Sequence, residues 1–284
     1  MKEVSAAPKI TNVKAAILGF QHLLAMYSGD VLVPLLIGAA LHFSQEQLTY
    51  LVSIDIFMCG IATFLQLKRT PLTGIGLPVV LGCAVQAVNP LIQIGKTYGL
   101  GTMYGSIIGA GIFIFLIAGL FSKIKNLFPP VVTGSLITII GFTLIPVAFQ
   151  NLGGGDTSAK DFGNLQALGI GFLTIAIILL ISVFARGFMK SVSILIGILV
   201  GTLIAGAMGM VSLKPVAEAS WFHLPTLFYF GTPHFEWSSI LTMILVSLTT
   251  MVASTGVFFA LGDITGRKIE GDDLKRGYRA EGIA

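Results

Sequence analysis

Few side chains in this sequence could do chemistry, and all of them lie in apolar surroundings. Gln21 and His22 precede Asp30 in one long apolar run, and Asp55 lies in the next. Gln86 and Asn89 lie in a third run, which prolines interrupt. Ionisable groups in such runs are costly and mark functional candidates. His22 reads either as a site residue or as a packed histidine donating to a nearby carbonyl. Asp30 follows it by about 12 Å along a helix axis, so the two cannot pair within one straight helix. Beside Gly29 and ahead of Pro34, Asp30 is expected to satisfy freed backbone groups. Asp55 is expected to act as an interhelical strut. Gln86 offers a donor and an acceptor on one planar amide, which suits a heterocycle with amide-like edges. A helix-end cap is the rival reading, and the more natural one for Asn89 before Pro90. No metal cluster, nucleophile triad or phosphate motif is visible, and an enzyme would need acids, bases or nucleophiles converging at one depth. Gly153-Gly154-Gly155 has no Gly-Lys-Ser/Thr after it and reads as a flexible turn.

The elements that must position these residues are membrane helices. The chain is 55% hydrophobic and only 11% charged, with a mean hydropathy of +0.91. Its apolar runs reach the roughly 20 residues that cross a hydrocarbon core. This predicts an all-α polytopic membrane protein of about eight segments, over 15–41, 48–67, 71–94, 102–121, 129–149, 165–184, 192–211 and 238–261. The third carries Pro71, Pro78 and Pro90, with Gly74, Gly76 and Gly82 between them. It reads either as a kinked helix or as an interrupted segment. Broken backbone survives in lipid only against protein or a water-lined cavity, and in transporters it points to the binding site.

Lysines and arginines cluster in alternate loops and in both termini, with only Lys96, Lys160 and Lys214 on the opposite side. By the positive-inside rule both termini are cytoplasmic. That distribution accounts for the net charge of +4 without a nucleic-acid partner. Trp221 and Trp237 flank an external loop and fit an interfacial belt. Cys59 and Cys83 fall in apolar segments, where a disulfide is not expected, and no cleavable signal peptide is expected.

Gln21-His22 with LLAMYSGDVLVPLLIGAAL, then LVSIDIFMCGIATFLQ, then GIGLPVVLGCAVQAVNP, resembles the nucleobase–ascorbate transporter family, the second nucleobase:cation symporter family. The loop NLGGGDTSAKDFGNL and the stretch STGVFFALGDITGRKI with DLKRGYRAEGIA resemble its bacterial xanthine and uric-acid permeases. The resemblance runs from Val13 to Ala284 and implies fourteen segments in two inverted repeats of seven. A core domain would bind substrate and move against a gate domain.

On that template 1–13 is a cytoplasmic N-terminus, 14–121 core segments 1–4, and 122–211 gate segments 5–7. Residues 212–237 form an external loop, 238–261 core segment 8, and 262–284 a cytoplasmic tail, ahead of expected segments 9–14. Segment 3 would hold a short β-strand over 83–88 between half-helices. Val85 and Gln86 would face substrate, with His22 supporting the site. Ala253 stands where the family has a glutamate expected to bond the nucleobase and couple to a proton.

The resemblance implies a plasma-membrane purine permease for xanthine or uric-acid-like bases, working by proton symport and alternating access. It would be a homodimer at full length, with no cofactor beyond the proton gradient. With Ala253 and only the first repeat plus one helix, the chain is expected to be a fragment, inactive alone. A uracil permease and a non-transporting membrane scaffold are the alternatives.

Overall fold

The computed structural model describes residues 11–124, 130–154, 159–211, 214 and 225–284. Among these it is all-helical, without strands. Five helical stretches there are long and apolar enough to cross a membrane: Asn12–Ala40, Gln45–Leu67, Leu100–Lys123, Leu165–Phe184 and Trp237–Thr265. The chain divides into two compact units, residues 1–29 with 169–214 and residues 30–168 with 215–284.

The first unit holds α1 (Asn12–Asp30) as far as Gly29, α7 (Leu165–Phe184) from Gly169, α8 (Phe188–Ser191) and α9 (Ser193–Ala207). Small residues bring α9 onto α7. Ser193, Gly197 and Gly201 recur every four residues and are buried. A Cβ on Gly197 would overlap Ile178, and one on Gly201 would overlap Thr174. Ser182 donates to Ser193 across the same seam at 2.9 Å. Where lipid is as apolar as leucine, close backbone approach and interhelical hydrogen bonds drive this kind of packing.

The second unit contains α2 (Leu32–Ala40), α3 (Gln45–Leu67), α4 (Val88–Tyr98), α5 (Leu100–Ile124), α6 (Pro130–Leu152), α10 (Trp237–Thr265) and α11 (Gly271–Ile283). Its α3 starts on a capping box: Ser44 Oγ accepts from the Gln47 N–H at 3.2 Å, and Gln47 Oε1 accepts from the Ser44 N–H at 2.9 Å. Glu236 caps α10, accepting from the Ser239 N–H at 2.7 Å and from the Ser238 hydroxyl, which holds its carboxyl down at about 2. Gly266 ends α10 in the left-handed region, φ 67°, and turns the chain into α11.

Three expectations change here. The first apolar run is two helices, interrupted at Val31, because Pro34 opens α2 and has no N–H to continue α1. The stretch after α10 does form an amphipathic helix, but its apolar face is packed: Leu274, Tyr278 and Ala280 are fully buried. α11 lies along α5 so closely that a Cβ on Gly111 would come within 2.6 Å of the Gly282 carbonyl oxygen.

The third change concerns the interrupted segment. After Leu67 the chain is non-helical to Ala84, makes a 3-10 turn over Val85–Ala87, and enters α4 at Val88. The kinked-helix reading is therefore replaced by a true interruption, and the expected strand over 83–88 by a turn and a helix start. A strand must pair its backbone groups with a neighbouring strand. No neighbouring strand is present among the described residues, and just ahead of this stretch Thr63 Oγ1 accepts from the Leu81 N–H at 3.1 Å and donates to the Leu81 carbonyl at 3.5 Å.

Candidate functional site

The interruption is held from below by a polar clamp. Fully buried Gln66 accepts from the Ile75 N–H through Oε1 at 3.3 Å and donates through Nε2 to the Gly277 carbonyl at 3.4 Å. Gly74, at φ 87°, sits against the Leu65 and Lys68 carbonyls where no side chain would fit, and its N–H donates to the Arg276 carbonyl. Arg267 donates to the carbonyls of Ile75 and Gly76 at 2.9 and 3.2 Å. Its other terminal nitrogen donates to Asp273 Oδ1 at 2.7 Å. Arg276 and Arg69 reach the same oxygen at 2.6 and 3.0 Å. Burial works against a charge on Asp273, but the Glu270 N–H and the three guanidinium groups outweigh it and hold its carboxyl below the usual range.

Above the clamp, the extended stretch meets two acids. The Asp30 carboxylate lies directly over Gly82, where any Cβ would overlap it. Asp30 Oδ2 is buried without a hydrogen bond. The Cys83 thiol donates to the Asp30 carbonyl at 3.3 Å and lies 3.5 Å from Asp55 Oδ2. Asp30 thus packs on the interrupted segment rather than capping backbone near Pro34. Asp55 is a strut, but to Cys83 of this segment rather than to another helix. Asn89 is no local cap; its amide donates to the Thr143 carbonyl on α6 at 2.9 Å.

Val85 and Gln86 stand where the extended stretch becomes helix, and they line two hollows. The smaller, about 540 Å³, also involves Asn89, Gln93, Ser238 and Thr242. The larger, about 1080 Å³, runs between the interrupted segment, α5 and α10. Its polar lining is Asp55, Gln86, Ser247, Thr250, Ser254 and Glu281, with Phe43, Tyr104 and Phe230 among its aromatic lining. The Gln86 amide on this wall offers a ligand both a donor and an acceptor. Both Glu281 oxygens are buried, with the Ser254 hydroxyl set against them but no aligned hydrogen bond. The arrangement sets an amide, hydroxyls and the carboxylates of Asp55 and Glu281 around an apolar hollow. It can bind a planar polar molecule and accept a proton.

Of the residues expected at a site, the structure brings Val85 and Gln86 to the larger hollow. Ala253, half-buried on α10, is not in its lining, although its neighbour Ser254 is. His22 is exposed on α1, in the other unit. Glu281 was not anticipated. The signal available was a carboxylate within the small, apolar run Ala280-Glu281-Gly282-Ile283-Ala284, which reads as a tail until α11 is seen to pack on α5.

The chain is 55% identical over 267 residues to the uric acid permease PucK of Bacillus subtilis, covering 94% of this chain and 62% of that protein. It is 53% identical over 271 residues to the nucleobase transporter PlUacP of Paenibacillus larvae, covering 95% and 62%. With the xanthine permease of Bacillus subtilis the identity is 55% over 271 residues, again covering 95% and 62%. The chain thus spans 62% of the length of these relatives. The model of the permease family Xan_ur_permease matches residues 13–284, and the chain belongs to that family.

Proposed function

We propose that this chain forms the substrate-binding side of a purine nucleobase permease, taking xanthine or uric-acid-like bases across the plasma membrane. The observation that carries the reading is the Val85–Gln86 turn facing a hollow whose lining also includes Ser254 and Glu281. A xanthine-like base has carbonyl oxygens and ring N–H groups for the Gln86 amide, and ring N–H groups for a carboxylate. The relatives carry uric acid, xanthine and nucleobase in their names, which supports purines over the uracil alternative.

In the whole protein the eight segments seen in the sequence belong to a fourteen-segment, inverted-repeat transporter with both termini cytoplasmic. Core segments 1–4 and 8 rock against gate segments 5–7, so that the bound base is exposed first outside and then inside. In that assembly His22 supports the site, and two copies form a homodimer. Uptake is driven by proton symport. With alanine at 253, Glu281 and Asp55 are the carboxylates of the hollow left to take the proton, and transport is weak.

The test is uptake of labelled xanthine into cells lacking their own permeases, with and without a protonophore. Residues 1–284 alone are expected to give negligible uptake. The chain extended to the length of its relatives is expected to give slow, protonophore-sensitive uptake that Ala253→Glu raises and Glu281→Gln abolishes. Absence of xanthine uptake by the extended Ala253→Glu protein would remove the purine assignment. Competition by uracil in place of xanthine would transfer it to pyrimidines.

A further inference from the structure

A hollow of about 1080 Å³ is several times larger than one bicyclic base, so most of it lies beyond the Val85–Gln86 turn. One part of its lining is aromatic, and those rings are fixed before any ligand arrives. Residues 225–236 form a strap carrying Phe230. Near one end the Tyr50 hydroxyl donates to the Thr226 carbonyl at 2.6 Å and accepts from the Thr226 N–H at 3.0 Å. Near the other, the His234 N–H donates to the Gly101 carbonyl at 2.9 Å. The strap backbone is seated directly on α5: a Cβ on Gly101 would come within 2.5 Å of the Thr232 oxygen, and one on Gly105 would overlap the His234 carbonyl.

So anchored, Phe230 stacks on Phe43, with centroids 4.9 Å apart and planes 20° apart. Tyr229 meets it edge-on at 5.0 Å. Tyr104 lies 6.3 Å away and is tilted by 45°. Rings tilted in that way do not cover each other's faces, and both Tyr104 and Phe230 line the hollow. Phe230 is thus stacked on Phe43, with Tyr50 also edge-on to it at 6.0 Å, and lines the hollow beside Tyr104. An ordinary apolar lid would need no such fixed ring geometry.

Tyr104 also lies two turns before Gly111, which contacts Gly282 beside Glu281. That is about 10 Å along α5. The hollow thus has length for two positions along α5, one beside Tyr104 and one beside the seat of α11 at Gly111.

We infer that Tyr104 and Phe230 form a second, aromatic subsite in this hollow, where a planar purine stacks before it moves to the Gln86–Glu281 position. The inference rests on the purine reading above and adds a place for the base that hydrogen bonding alone does not provide. Stacking tolerates different ring substituents, because each base has a π-face. This subsite accordingly selects for planarity, and the Gln86–Glu281 position selects among bases.

The experiment is xanthine binding to the purified 284-residue chain in lipid nanodiscs, by calorimetry and by ultraviolet difference spectroscopy of the bound base. The wild-type chain is expected to bind xanthine with reduced base absorbance, the signature of stacking. Phe230→Leu keeps apolar bulk but removes the π-face, and is expected to weaken binding about tenfold and abolish the absorbance change. Phe230→Trp is expected to restore both. Tyr104→Leu, on helix α5 rather than on the strap, gives an independent reading if Phe230→Leu disturbs folding, and is expected to weaken binding in the same sense. Xanthine binding with unchanged affinity and absorbance in both leucine variants overturns the subsite and leaves the purine reading intact. A folded wild-type chain that binds no xanthine overturns the subsite as well, while the purine reading stands or falls with uptake by the extended protein.

Discussion

Two stretches of the second unit leave helical geometry beside the same hollow, and they are held by opposite chemistries. The interrupted segment between α3 and α4 is clamped by charge, with three arginines on one carboxylate oxygen and Arg267 reaching two backbone carbonyls. The strap over 225–236 is clamped by rings, one tyrosine hydroxyl and two glycine seats on α5. Both answer the same demand, since non-helical backbone near lipid must find partners in protein. The difference predicts their responses. A charged clamp depends on protonation and on every member being present, whereas an aromatic clamp depends on shape and fails by small steps.

The sharpest way to break that contrast is Asp273→Ala. It leaves Arg69, Arg267 and Arg276 facing one another without their shared acceptor, and Arg267 then has no anchor for the carbonyls of Ile75 and Gly76. Removing one partner of a buried charged network costs about 3 kcal/mol, against well under 1 kcal/mol for an exposed pair. Arg69, 56% exposed, belongs to the second kind, so Arg69→Ala is expected to change little. Heat unfolding in detergent should show Asp273→Ala melting several degrees lower, and added salt should not repair it. The pH dependence has a fixed sign. The folded carboxyl lies below its ordinary value, so its stabilisation is complete above about pH 4. It fades as pH falls further, and Asp273→Asn should flatten that limb. A variant that melts with the wild type would mean that charge does not hold this segment.

How much of this could be read beforehand follows from distance along the chain. Pro71, Pro78, Pro90 and the glycines between them act on their own backbone, so the interruption and the place of Gln86 in it were readable locally. Apolar runs likewise marked the long helices. Arg69 and Asp273 are 204 positions apart, and Tyr50 and Thr226 are 176 apart. No local propensity announces such pairs. The same limit explains the strand that became a turn. That strand was implied by the family template, but a ladder needs a neighbouring strand, and none lies there among the described residues. Glu281 was hidden for a related reason: a short amphipathic helix reads as a surface element until its partner is known. Here the partner is α5, whose Gly111 leaves room for Gly282.

A second, smaller break lies inside the interrupted segment. Gly82 is exposed, so its need for glycine does not come from general crowding; it comes from one carboxylate, that of Asp30. Gly82→Ala is expected to cost about 2 kcal/mol by overpacking, and to do so only while Asp30 is present. In the double variant with Asp30→Ala the two costs should fall well short of their sum, because the clash is gone. Strict additivity, measured by heat unfolding of all four proteins, would show that Gly82 and Asp30 do not share a site.

The smallest expected effect tests whether the strap and the interrupted segment are separate units at all. Tyr50→Phe keeps the ring that stacks on Tyr229 at 4.0 Å and removes only the hydroxyl that bonds both backbone groups of Thr226. Losing hydrogen bonds of this kind costs about 1 kcal/mol each, too little to unfold the unit. The readout is therefore local. Amide hydrogen exchange should quicken several-fold at Thr226 and its neighbours, since local opening is governed by local contacts. Ile75 and Gly76, held by Gln66 and Arg267, should exchange as before. If protection falls equally at both places, the two clamps open together, and the hollow between them is closed by one cooperative element instead of two with different chemistry.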